Sequence, residues 1–145
     1  MEPYCYNAEV KRVVDGDTVI LNIDLGFDVV LSNQKVRLYG VDTPECRTRD
    51  LEEKEAGLLA KDKVKFFLKK GDRVTIKTRL DKGKFGRILG IIDSNGINVN
   101  DFLIENHYAV VYKGQSKEEV QEAHKQNYEI LRNNGELKNG TSESW

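Results

Sequence analysis

Three short segments carry the residue types that phosphate-ester chemistry uses. They are Asp15-Gly16-Asp17-Thr18, Arg37 with Asp42-Thr43-Pro44-Glu45, and Lys84-Phe85-Gly86-Arg87. Asp17 and Asp42 can share a hard cation, because Ca²⁺ and Mg²⁺ take carboxylates, backbone carbonyls and water, and the same oxygen set also suits Mn²⁺. Glu45, beyond Asp42 across a proline turn, can orient or deprotonate a water beside that cation. Arg37 and Arg87 carry forked guanidinium groups that can hold a phosphate and offset charge building on its oxygens. A cation, a carboxylate base and two arginines suffice for phosphodiester hydrolysis if the fold brings them together. Taken singly, each segment has a plainer explanation. Asp-Gly suits a turn, Asp-Thr-Pro-Glu suits the start of a helix, and either arginine suits a surface ion pair.

The elements that must position these residues follow from patterning. Glu9 to Val14 and Thr18 to Asp24 read as β-branched and apolar strands joined at the Asp15-Gly16-Asp17 turn. After a further apolar stretch, Phe27 to Leu31, the alternation over Lys35 to Val41 predicts a strand. Val36, Leu38 and Gly40 lie on one of its faces, Arg37 and Tyr39 on the other. Pro44 ends it. Leu51 to Lys70, with Gly71 beyond, predicts the first helix, with Phe66 and Phe67 in the core. Arg73 to Thr78 and Arg87 to Ile92 predict two strands around a turn at Asp81-Lys82-Gly83-Lys84, and Asn95-Gly96 marks another turn. Asn98 to Asn106 predicts a short helix, followed by an apolar Ala109 to Tyr112. Ser116 with Glu119 forms a capping-box signature that opens a last helix, Lys117 to Arg132.

Five short strands and three helices predict a mainly β fold, an OB-type five-stranded barrel decorated by three α-helices, with a generic α+β sandwich as the competing architecture. Residues 1–137 are expected to form one domain and 138–145 a flexible polar tail. Two cysteines, Cys5 and Cys46, are too few for a disulfide framework or a four-thiolate zinc site. His107 and His124 are too far apart for helical metal spacing and read as helix-surface or partly buried residues, and Cys46 reads as a small apolar filler. No apolar run approaches the roughly 18 residues of a membrane span and the first residues lack a secretory layout, so a cytoplasmic or phage-derived intracellular setting without membrane contact is expected.

The net charge of −1 excludes indiscriminate, histone-like binding to nucleic acid. The distribution is uneven: residues 1–60, 61–87 and 88–145 carry −5, +8 and −4. The basic middle can attract phosphate, although a solvated helix face would look the same.

The sequence resembles the staphylococcal nuclease-like (thermonuclease) family through Val14-Asp15-Gly16-Asp17-Thr18-Val19, Val36 to Glu45 and Lys84 to Leu89, in the family's order. The resemblance implies an OB-fold barrel, Ca²⁺ dependence, and cleavage of DNA and RNA at the 5′ side of the phosphodiester to leave 3′-phosphate ends. It implies that Asp17 and Asp42 are carboxylate ligands of the calcium, and Thr43 a backbone-carbonyl ligand. By the same resemblance Glu45 is the general base, and Arg37 and Arg87 grip the scissile phosphate. Asp15 is an acid beside the metal, and Lys84 and Tyr112 contact the nucleotide. A monomer acting on single-stranded substrate is expected. Two departures stand out: the stretch between Asp17 and Arg37 is longer than in the family's secreted enzymes, and Val110 stands where those enzymes have the first of two tyrosines. The competing reading is a catalytically inactive nucleic-acid-binding barrel. Such a barrel has no chemical need for the full set Asp17, Arg37, Asp42, Glu45 and Arg87.

Overall fold

A two-residue turn at Gly16-Asp17 reverses the chain between β1 (Cys5–Asp15) and β2 (Thr18–Gly26), whose register runs from Asn7 opposite Asp24 to Asp15 opposite Thr18. A second turn, with positive φ at Gly26, Phe27 and Asp28, leads into β3 (Val29–Leu38). The computed structural model describes residues 4–79 and 87–138. The turn expected at Asp81-Lys82-Gly83-Lys84, including the nucleotide contact assigned to Lys84, and residues 139–145 of the tail lie outside the described residues. Phe27 and Lys35, expected on separate apolar and alternating stretches, flank or share one hairpin, because β3 is continuous from Val29.

The remaining elements are β4 (Val41–Asp42), α1 (Leu51–Phe67), β5 (Arg73–Thr78), β6 (Ile88–Ser94), β7 (Ile97–Asn98), α2 (Val99–Glu105), β8 (Val110–Val111) and α3 (Lys117–Asn133). The strand order β3-β2-β1-β5-β6 closes on itself through a parallel pairing of β3 with β6, Val36 opposite Ile88 and Leu38 opposite Gly90. The result is a closed five-stranded barrel with three helices, the predicted OB-type architecture. Closure removes the free edges that an open sheet would leave. Alternate residues point inward: Ala8 and Val10, Val19, Leu21 and Ile23, Val36 and Leu38, Val74 and Ile76, and Ile92 are buried. Gly90 belongs to this interior. A Cβ there would stand 2.6 Å from Ile76 Cδ1, so any larger residue would have to displace the Ile76 side chain at the closing seam.

The helices differ from expectation in two places. α1 ends at Phe67, three residues early, because Leu68 turns away to be buried in the core, and Gly71 N–H then donates to Val10 C=O at 2.8 Å. Phe67 packs on the core as expected, but Phe66 is 69% exposed, since the helix turns it to the opposite side. Three caps act as local sequence patterns dictate. Asp50, Asn98 and Ser116 each accept from the N–H three residues on, at 3.1, 2.9 and 3.2 Å.

Candidate active site

Three chain segments meet at the end of the barrel where β1 hands over to β2. Asp17 lies in the first hairpin turn, and its carbonyl accepts from Leu38 N–H at 2.8 Å, tying that turn to the end of β3. β3 was expected to continue to Val41 with Gly40 facing inward. It stops instead at Leu38, Gly40 takes φ +78°, and Val41–Asp42 start a separate ribbon with β8, Asp42 opposite Val110. The reason is a left-handed turn that glycine adopts freely, held by Tyr112 N–H donating to Gly40 C=O at 2.8 Å. Asn100, buried at the start of α2, fastens the other side. Its amide nitrogen donates to Tyr39 C=O and Gly90 C=O, and its oxygen accepts from Ile92 N–H. Every strand entering the site is thereby bonded to a neighbour.

α1 positions the segment Thr43-Pro44-Glu45. A Cβ on Gly57 would stand 2.6 Å from Glu45 C=O and 2.7 Å from Pro44 C=O, so the helix backbone lies directly against this segment. A Cβ on Gly16 would meet Ala60 and Thr43 at 3.0 and 3.1 Å, which packs the first turn against the same two elements.

Asp15, Asp17, Arg37, Asp42, Thr43, Glu45 and Arg87 line one small cleft of about 170 Å³. All of the candidate catalytic and cation-binding residues are therefore brought together. Arg37 is its hub: Nη1 donates to Val41 C=O at 3.0 Å, while Nη2 lies 3.4 Å from Asp42 Oδ1 and 3.5 Å from Asp17 Oδ2. Two carboxylates from distant segments thus converge on one cationic nitrogen. Glu45 is not part of that pairing. Partial burial, then the negative charge of Asp17, Asp15, Glu53 and Asp42, raises its pKa above the usual carboxylate value. Cys46, buried beside it, has its thiol pKa raised by burial, which keeps it protonated and inert.

A cation tests the donor set. The side chains facing the small cleft are predominantly oxygen-bearing, and among the described residues no three His, Cys, Asp and Glu side chains cluster tightly enough to hold a metal unaided. Asp17 and Asp42 with a backbone carbonyl and water fit a hard, oxygen-liking ion and disfavour a soft one.

A wider cleft of about 560 Å³ adjoins the small one and shares Arg37, Asp42 and Arg87 with it. Tyr112, 43% exposed, lines it, with Arg37 Cζ 5.9 Å from the ring centroid. Val110 is 7% exposed and turned inward, so it offers no surface to a base. Tyr39, outside the sequence-derived set, lines the wide cleft at 39% exposure. Its hydroxyl accepts from Arg79 Nη1 at 2.9 Å, and the Arg79 guanidinium lies 4.8 Å from its ring centroid. Alternation along β3 put Tyr39 on the face of Arg37, which was the available signal. His124 was also missed. Expected at the helix surface or partly buried, it is buried, and its Nε2 lies 2.7 Å from Asp42 Oδ2.

The profile described as "Staphylococcal nuclease homologue" matches residues 35–137. The chain is 39% identical over 114 residues to "Endonuclease YhcR" of Bacillus subtilis (strain 168), covering 74% of this chain and 9% of that protein. It is 39% identical over 84 residues to the "Thermonuclease" of Staphylococcus intermedius, covering 57% of this chain and 46% of the relative. It is 32% identical over 129 residues to "Uncharacterized protein MJ1439" of Methanocaldococcus jannaschii, covering 74% and 59%. The chain spans less than two thirds of the length of each of these relatives.

Proposed function

The chain belongs to the staphylococcal nuclease family, and from that premise we propose that it is a Ca²⁺-dependent nuclease that hydrolyses phosphodiester bonds of DNA and/or RNA to leave 3′-phosphate ends. The observation that carries this reading is the convergence of Asp17, Arg37, Asp42, Glu45 and Arg87 on one cleft from three segments. A nucleic-acid-binding barrel needs a basic groove, not a carboxylate base beside paired acids and arginines. The names "Endonuclease" and "Thermonuclease" carried by two relatives support the same class.

Asp17, Asp42 and the Thr43 carbonyl would hold the cation, with Asp15 beside them. Held there, the ion would supply positive charge to offset charge on the phosphate oxygens. Arg37 and Arg87 border both clefts, so one phosphate at their junction is within reach of both guanidinium groups. Their fixed charge stabilises the pentavalent transition state more than the substrate. Glu45 accepts the proton of the attacking water. The new bond forms from that water oxygen to phosphorus, the bond from phosphorus to the 5′-oxygen breaks, and the 5′-oxygen departs with a solvent proton. Its place in the small cleft beside Asp17 and Asp42 suits Glu45 to this task. Tyr112, and Lys84 by its place in the third motif, contact the nucleotide. Tyr112, exposed on the wide cleft, offers a ring on which an unpaired base could stack, so a single-stranded substrate is proposed, and the chain is proposed to act as a monomer.

The deciding experiment is hydrolysis of heat-denatured DNA by the purified chain at alkaline pH, with Ca²⁺, with chelator and with Mg²⁺. Ca²⁺-dependent release of 3′-phosphate products is expected. Salt-sensitive binding without cleavage under any of these ions would overturn the enzyme reading in favour of a binding barrel.

A further inference from the structure

Asp42 divides its two carboxylate oxygens between opposite sides of the site. Oδ1 faces Arg37 Nη2 at 3.4 Å, and Oδ2 meets His124 Nε2 at 2.7 Å. We infer that His124 is a positioning residue that fixes the orientation of the Asp42 carboxylate for cation binding. The inference rests on the reading of Asp42 as a cation ligand given above.

Three observations carry it. First, His124 sits on α3, 82 residues from Asp42 in sequence, and it is almost wholly buried. Because a carboxylate only accepts, Nε2 carries the hydrogen and donates it. Second, the other ring nitrogen, Nδ1, is buried with no hydrogen-bond partner among the described residues. A helix that needed only to pack would place an apolar side chain here without the cost of desolvating that nitrogen. The contact that offsets this cost is the one to Asp42. Third, the ring packs on a neighbour in its own helix, and that helix is tied to the ribbon that carries Asp42. Tyr128, one helical turn on, stacks with its centroid 6.1 Å away and its plane tilted by 23°. Asn127 Nδ2 donates to Ala109 C=O at 3.2 Å, tying α3 to the residue before β8, the strand that pairs with Asp42. α3 therefore grips Asp42 through both its side chain and its backbone ribbon. Histidines and carboxylates one bond removed from a metal act in this way, by restricting the ligand's orientation.

The test is calorimetric titration of Ca²⁺ into the full chain and its Asp42→Asn, His124→Leu and His124→Gln variants, with melting of each metal-free protein as a check on folding. His124→Leu is expected to weaken Ca²⁺ binding by roughly 10- to 100-fold. His124→Gln, whose amide nitrogen reaches the same oxygen, is expected to stay within about threefold of the parent. If His124→Leu fails to fold, His124→Asn, too short to reach Asp42, takes its place. Binding by a folded His124→Leu equal to the parent, with Asp42→Asn defective, would overturn the role of His124 alone. Equal weakening by His124→Leu and His124→Gln would overturn the hydrogen bond as the cause. Unchanged binding by Asp42→Asn would overturn the cation reading itself, and the inference with it.

Discussion

At the scale of single residues, the roles separate by what each side chain can exchange. Glu45→Gln keeps shape and hydrogen-bonding capacity but removes the base. Turnover is expected to fall by about 10² to 10⁴ while DNA affinity changes little, read from single-turnover rates against equilibrium binding. A parallel loss of both would remove Glu45 from the base role. Arg87→Ala removes charge from the junction of the two clefts, and turnover is expected to drop on the order of 10² or more. Tyr39, braced by Arg79, lines the wide cleft, and we propose that it offers its ring to a base there. Tyr39→Ala is expected to raise KM for single-stranded DNA by roughly 5- to 100-fold with kcat nearly unchanged, because stacking contributes about 1–3 kcal/mol per base. Unaltered KM would show that bases do not rest there. Residue types singled out Asp17, Arg37, Asp42, Glu45 and Arg87 as a candidate set, and the fold brings all five to one cleft. His124 was not legible, because a single histidine among the polar residues of a helix has no motif.

At the scale of elements, the site depends on how closely α1 approaches the segment after β4. Gly57→Ala is the sensitive test. Alanine is the better helix former by about 1 kcal/mol, yet its Cβ would fall 2.6 Å from a backbone carbonyl of Glu45, where no flexible side chain can yield. Overpacking of this kind costs roughly 1–3 kcal/mol. A net destabilisation of about 0–2 kcal/mol by urea unfolding is expected, with turnover reduced by roughly tenfold as Glu45 moves out of line. Greater stability than the parent would show that the contact relaxes freely. Elements were legible where the signal is local. The Asp15-Gly16-Asp17 turn, the Ser116 cap and the alternation of Val36 and Leu38 follow from dihedral preference, capping and pleat. The end of β3 at Leu38 was not legible, since the alternation continues through Val41, and Gly40 becomes a turn only where Tyr112 holds its carbonyl and β8 pairs with Val41–Asp42.

At the scale of the whole molecule, an ion bound only by the folded chain stabilises it by mass action. If the chain takes Ca²⁺ as proposed, a hundredfold excess over Kd would contribute about 2.7 kcal/mol, which for a chain of this size would raise Tm on the order of 5–10 °C. Calorimetric scans with Ca²⁺ and with chelator check this, and Asp42→Asn is expected to abolish the shift. An equal shift in that variant would place the ion elsewhere. The sequence by itself determined the chemical kit, the order of its three segments, the hairpin turn and the helix caps, because these depend on residue type and on neighbours a few positions away. Tertiary structure decided which of those residues meet. The parallel closure of β3 on β6, the Asn100 bridge to Tyr39 across 61 positions and the His124 contact to Asp42 across 82 join segments whose separation leaves no periodic trace. Such contacts arise from how the barrel closes and how α1 and α3 dock on it, and local preference cannot encode either.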